Sequence, residues 1–147
     1  MLKILFGTQC YKGGACCCFI DWPPEKRLDI ERLYSRGTKE YRNYRVIMDR
    51  WAEGLAELQA KGVVVLWRPF NEATNSSKWW CKQPAGKFKR LYRYTFRYLT
   101  RRKGLHNLLW VYDATDYKKR TVDMSHYPDD YYVDIVGITM NWIRVYR

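Results

Sequence analysis

Between Val63 and Trp80 the chain reads VVVLWRPFNEATNSSKWW. Glu72 is the residue with chemistry to offer, because a carboxylate set in a loop can give a proton to a leaving group and take one back. Its neighbours suit that work. Asn71 can hydrogen-bond a hydroxyl, Arg68 can fix the charge state of a neighbouring carboxylate, and Trp79 and Trp80 offer flat apolar faces on which pyranose rings can stack.

Other reactive side chains are less suggestive. Asp113 and Asp116 follow a strand-like run, where an aspartate is expected to cap or turn the chain. His106 precedes a strand and His126 precedes a Tyr-Pro turn, and two histidines so far apart do not make a metal site. Of five cysteines, Cys16, Cys17 and Cys18 are consecutive. Neighbours in a strand point to opposite faces, so this triplet cannot converge on a metal and reads as small buried hydrophobes. A pairing of Cys10 with Cys81 stays open, and the odd count leaves at least one thiol over. No cofactor is implied.

The elements that must position Glu72 alternate. Ala15 to Ile20 is a short apolar run ended by Trp22-Pro23-Pro24, and it reads as a first strand. From Tyr41 to Gly62 the apolar positions Tyr44, Ile47, Met48, Trp51, Leu55 and Leu58 recur at spacings of three and four, which predicts a helix with Gly62 as its C-terminal cap. Val63 to Trp67 is a buried strand. A second helix is predicted over Gly86 to Lys103, with Phe88, Leu91, Tyr92, Thr95, Phe96 and Leu99 on its apolar face and Gly104 as its stop. Leu108 to Tyr112 and Val133 to Ile138 are further strands. Strands apolar on both faces and separated by helices imply parallel βαβ units, hence an α/β fold in a single domain over residues 1–147. The strands are expected side by side in chain order, with Glu72, Asp113 and Asn141 at one edge. In parallel barrels reacting groups sit just past the C-terminal strand ends, and Glu72 lies five residues beyond Trp67.

Composition bounds the function. With 47% hydrophobic and 17% aromatic residues the chain can build a core, which argues against disorder. No segment approaches the roughly 18 uninterrupted apolar residues that a spanning helix needs. The apolar opening, MLKILFGTQCYKGG, is too short for a good signal peptide. A net charge of +12 keeps an acidic partner in view.

Three motifs in order make the reading specific: W-R-P-F-N-E followed by W-W, then L-Y-R-Y-T-F-R-Y-L-T-x-x-K-G-L-H-N-L-L-W-V-Y, then Y-P-D-D-Y-Y-V-D-I-V-G. Together they resemble glycoside hydrolase family 26, the β-mannanases and related β-glucanases built on a (β/α)8 barrel. W-A-E-G-L-A-E-L-Q-A-K-G resembles the helix before the acid/base strand, which extends the likeness to residues 13–142. The resemblance implies Glu72 as the acid/base, Arg68 as a side chain lining the catalytic centre, Asn71 as a sugar contact, and Trp79 and Trp80 as subsite aromatics. It also implies a secreted protein whose partner is a β-linked polysaccharide, mannan or β-glucan.

Departures qualify what is carried over. Asn71 stands where this family usually has histidine. No tyrosine follows V-D-I-V-G, where the family places one against its nucleophile; the chain reads Ile138-Thr139-Met140-Asn141-Trp142. The nucleophile, a glutamate at the end of a later strand, is absent from the sequence. A retaining glycosidase needs two carboxylates about 5 to 5.5 Å apart. A full barrel takes roughly 250 residues, so 147 residues correspond to about half of one. The expectation is a partial barrel domain that holds the acid/base, lacks the nucleophile and is inactive alone.

Two other classes compete. A non-catalytic carbohydrate binder would use the same aromatics without turnover. A nucleic-acid binder would use KFKRLYRYTFRYLTRRKG, with eight Lys/Arg and no acid from Lys87 to Lys103. Periodicity weakens the latter, since Phe88, Tyr92 and Phe96 fall on the apolar stripe and the cations on the solvated face.

Overall fold

A computed structural model describes residues 2–6, 28–74, 78–116 and 118–139. Its centre is a four-stranded sheet in the order β1 (Leu2–Phe6), β2 (Val64–Arg68), β3 (Leu108–Asp113) and β6 (Ile135–Gly137). Every pairing in it is parallel, with Leu5 opposite Trp67, Trp67 opposite Trp110, and Asp113 opposite Gly137. A two-residue antiparallel ladder, β4 (Thr115–Asp116) with β5 (Thr121–Val122), follows β3.

Helix α1 (Lys39–Ala60) starts where Thr38 Oγ1 accepts the Tyr41 amide at 3.0 Å, which satisfies one of the helix's otherwise unpaired N–H groups. It ends in a Schellman turn: Gly62 N–H donates to Gln59 O at 2.9 Å and Val63 N–H to Leu58 O at 3.0 Å. That turn holds Gly62 at φ +66, a region glycine enters without a Cβ clash. Tyr44, Met48, Ala52 and Leu55 form the buried stripe. Helix α2 (Ala85–Phe96) continues as a wider π turn over Arg97–Arg102, and Gly104 follows at φ +68. It buries Phe88, Leu91, Tyr92 and Thr95, and Thr95 Oγ1 is 2.7 Å from the Tyr44 hydroxyl. Burial in that contact pushes the Tyr44 phenol far above its usual range.

The periodicity therefore located both helices and three strands to within a few residues. The strand beside β2 on its other flank is a correction. It is Leu2–Phe6, a short apolar run whose length suits a strand. The strand expected at 15–20, Cys10, Cys16 to Cys18 and Asn141 all lie outside the described residues. Among the described residues no helix is long and apolar enough to cross a membrane, and no cluster of His, Cys, Asp and Glu could hold a metal ion.

The core lies between helices and sheet and is unusually aromatic. Phe70, Trp80, Phe88, Tyr92 and Trp110 are all buried. Phe70 packs against Trp80, Phe88 and Tyr92 at ring-centre distances of 5.8–6.0 Å, and Tyr92 against Trp110 at 5.8 Å. Such tilted and edge-on pairs add to the area they bury.

Candidate active site

Parallel strands place their last residues along one edge, and here that edge collects β2's Arg68, β3's Asp113 and the segment after β6. Arg68 Nη1 meets Asp113 Oδ2 at 2.5 Å. Thr139 Oγ1 donates to the same carboxylate oxygen at 2.9 Å and accepts from Arg68 at 3.3 Å. The Thr139 segment is itself tied to β4: its amide donates to Thr115 Oγ1 at 3.0 Å, and the Thr115 hydroxyl donates to Thr139 O at 3.2 Å. Asp113 is 1% exposed, so its charge requires such partners. Burial lowers the Arg68 guanidinium from its ordinary range, while the charges of Asp113 and Glu72 work the other way. Arg68 thus feels two carboxylates.

Glu72 lies in the loop after β2 with its side chain 19% exposed and Lys78 Nζ 3.6 Å from its Oε2. Its backbone is at φ +53, the left-handed region that non-glycine residues rarely occupy. The surrounding loop holds it there. Ala73 N–H donates to Asp113 O at 3.2 Å, Lys82 N–H to Ala73 O at 3.1 Å, and Cys81 Sγ to Glu72 O at 3.0 Å. Cys81 is buried in that contact.

The two tryptophans separate. Trp80 is 1% exposed and packs between Phe70 and Trp79, with its indole N–H donating to Asn71 O at 2.9 Å. Trp80, expected as a sugar contact, is a ring enclosed by its neighbours that supports the loop from below. Trp79 is half-buried, edge-on to Tyr44, Phe70 and Trp80 at 6.2, 6.3 and 5.2 Å. Asn71 Oδ1 is buried and has no hydrogen-bond partner among the described residues.

Asp116 turns the chain as expected, accepting the amides of Lys118 and Lys119. Asp113 does not. It is an ion-paired strand end, a role whose only sequence signal is its place after an unbroken apolar strand opposite another strand that ends in Arg68. Thr139 was missed for the same reason. His126 is structural, with Nε2 2.7 Å from Gln83 O and its ring against Phe88 at 5.5 Å. His106 is held through its backbone amide, which donates to Gln59 Oε1 at 2.6 Å.

Comparison with known proteins gives this arrangement a context. Residues 25–146 match the model of glycosyl hydrolase family 26. A mannan endo-1,4-beta-mannosidase of Bacillus subtilis is 34% identical over 116 residues, which cover 74% of this chain and 32% of that protein. Another, from Caldalkalibacillus mannanilyticus, is 34% identical over 117 residues, 74% of this chain and 22% of the relative. The chain therefore spans a third or less of the length of these relatives. Among solved structures, a beta-mannanase from a symbiotic protist of the termite Reticulitermes speratus, complexed with gluco-manno-oligosaccharide, superposes with a TM-score of 0.70 at 30% identity, over 78% of this chain and 34% of that one. A Bacillus subtilis mannanase superposes with a TM-score of 0.67 at 32% identity, over 74% of this chain and 35% of that one.

Proposed function

The chain belongs to glycosyl hydrolase family 26 and folds as part of the family's TIM barrel, and from that premise we propose that it carries the acid/base portion of a retaining site for β-1,4-mannan or β-glucan. Glu72 is the acid/base. Arg68 and Asn71 line the centre, Arg68 by holding Asp113 and sensing Glu72, Asn71 by turning its partly exposed side chain to a sugar hydroxyl. Trp79, with part of its ring open, is the stacking surface.

One observation carries the reading. Glu72 is a partly exposed carboxylate just past the C-terminal end of a parallel strand, kept in a left-handed backbone by a loop bonded to the next strand's Asp113. A left-handed backbone held by the surrounding loop fixes where this carboxylate sits, as a positioned proton donor needs.

Double displacement also needs an attacking carboxylate. The other acids of this region have different tasks: Asp113 is sealed against Arg68, Asp116 and Asp129 cap turns, and Asp130 accepts from the Tyr127 hydroxyl at 2.9 Å. These 147 residues by themselves should therefore release no reducing sugar from mannan or β-glucan above a Glu72→Ala control. Release by the purified chain that this substitution abolishes would overturn the assignment of roles.

The binding-only alternative keeps Trp79 and Asn71 without turnover, and retardation in a mannan-containing gel detects it. The basic face of α2 does not favour an extended nucleic acid. Lys87 and Arg90 are paired with Asp29 and Glu31, Arg93 with Asp129, and Lys103 with Asp49.

A further inference from the structure

Away from the strand-end site, α1, the segment before it and the end of α2 with its π turn border an open pocket of ≈ 200 Å³ lined by Arg36, Arg45, Arg97 and Arg102. Among the described residues none of these four guanidiniums forms a salt bridge, although their neighbours along α2 do. Three of the four instead lie on tyrosines. Arg45 sits 4.3 Å over the Tyr98 ring and donates to the Tyr41 hydroxyl at 3.2 Å, Arg102 lies 5.7 Å over Tyr98, and Arg97 donates to the Tyr132 hydroxyl at 2.5 Å. The Asp49 carboxylate beside Tyr98 is taken by Lys103 at 2.7 Å and by the Tyr98 hydroxyl. Arg45 Nε and the Tyr34 hydroxyl are buried at this pocket with no hydrogen-bond partner among the described residues.

We propose that this pocket binds a compact, doubly charged oxyanion, a phosphate or sulfate group, held by the Arg36, Arg45, Arg97 and Arg102 guanidiniums and the Tyr34 hydroxyl. Four cations without a salt bridge around one small pocket repel each other, and an anion placed among them relieves that repulsion. One carboxylate would neutralise a quarter of the rim, whereas a dianion neutralises half and accepts from several directions. The ring geometry disfavours an inserted nucleobase: Tyr34 and Tyr41 each pack on Tyr94, with centres 6.2 and 6.4 Å apart.

Calorimetric titration of the chain at low ionic strength tests this, with inorganic phosphate, glucose 6-phosphate, a monosaccharide sulfate and a single-stranded oligonucleotide as probes. One site per chain for phosphate or sulfate is expected. Arg97→Gln and Arg102→Gln, at exposed positions that leave folding intact, should each weaken it roughly tenfold, the loss of a charged hydrogen bond. Tyr34→Phe should weaken it less, and Arg101→Gln, outside the rim, not at all. Tighter binding of the ester than of inorganic phosphate would mark a phosphorylated molecule as the source, and equal binding the free ion. Absence of binding, equal loss with Arg101→Gln, or an oligonucleotide preference lost equally on Arg90→Gln would each overturn the proposal.

Discussion

Arg68 and Asp113, 45 residues apart in the chain, meet at 2.5 Å across the ends of two neighbouring parallel strands, and Asp113 is almost wholly sealed from water. This pair joins the strand before Glu72 to the strand after α2. It also anchors the Glu72 loop, because the Asp113 carbonyl accepts the Ala73 amide.

Breaking that pair from one side should be costly. Arg68→Met leaves a buried carboxylate whose remaining side-chain partner among the described residues is the Thr139 hydroxyl, and a loss of about 3–5 kcal/mol is expected. The double replacement Arg68→Met, Asp113→Leu should recover much of it. Urea unfolding of the three proteins measures the coupling, and additive losses would mean the pair is not a unit.

The adjacent tryptophans should part in their effects. Trp80→Ala empties a site in the aromatic core and should cost about 3–5 kcal/mol. Trp79→Ala should cost less stability and reduce retardation by mannan in an affinity gel. The reverse pattern would return Trp80 to the binding surface.

Acid should loosen the contact between α1 and α2 at Asp49. Burial alone would raise this carboxyl, but hydrogen bonds from Lys103 and Tyr98 outweigh it and hold it below its ordinary value. A depressed carboxyl stabilises the fold above its unfolded pKa of about 3.9, and that contribution is lost as pH falls through the lower folded value. The stability gap between the parent and Asp49→Asn should therefore be present near neutrality and close on acidification below pH ~4. A gap that stays constant from neutral to strongly acid conditions would contradict the ionic role of Asp49.

In a longer chain that contains this stretch and turns over glycosides, Glu72→Ala should slow substrates with poor leaving groups by about 10²- to 10⁴-fold. Activated aryl glycosides need little protonation and should be slowed far less. Equal losses for both classes would show that Glu72 is not the acid.

The sequence by itself determined the α/β class, both helices, three of the four parallel strands and the family, because each rests on local period or on ordered motifs. Apolar residues three and four apart predict α1 and α2 wherever the chain goes, and W-R-P-F-N-E locates Glu72 by its distance past a strand. Only the tertiary structure decided which of Trp79 and Trp80 is buried, since neighbours of identical type differ only in how the loop closes beneath them. It likewise decided that Asp113 is a sealed partner of Arg68 and not a turn residue, that Leu2–Phe6 lies beside β2, and that four arginines from α1, α2 and the segment before α1 ring one pocket. Those relationships join residues far apart in the chain. No local pattern encodes them, because they exist only once parallel strand ends and helix faces are brought into register.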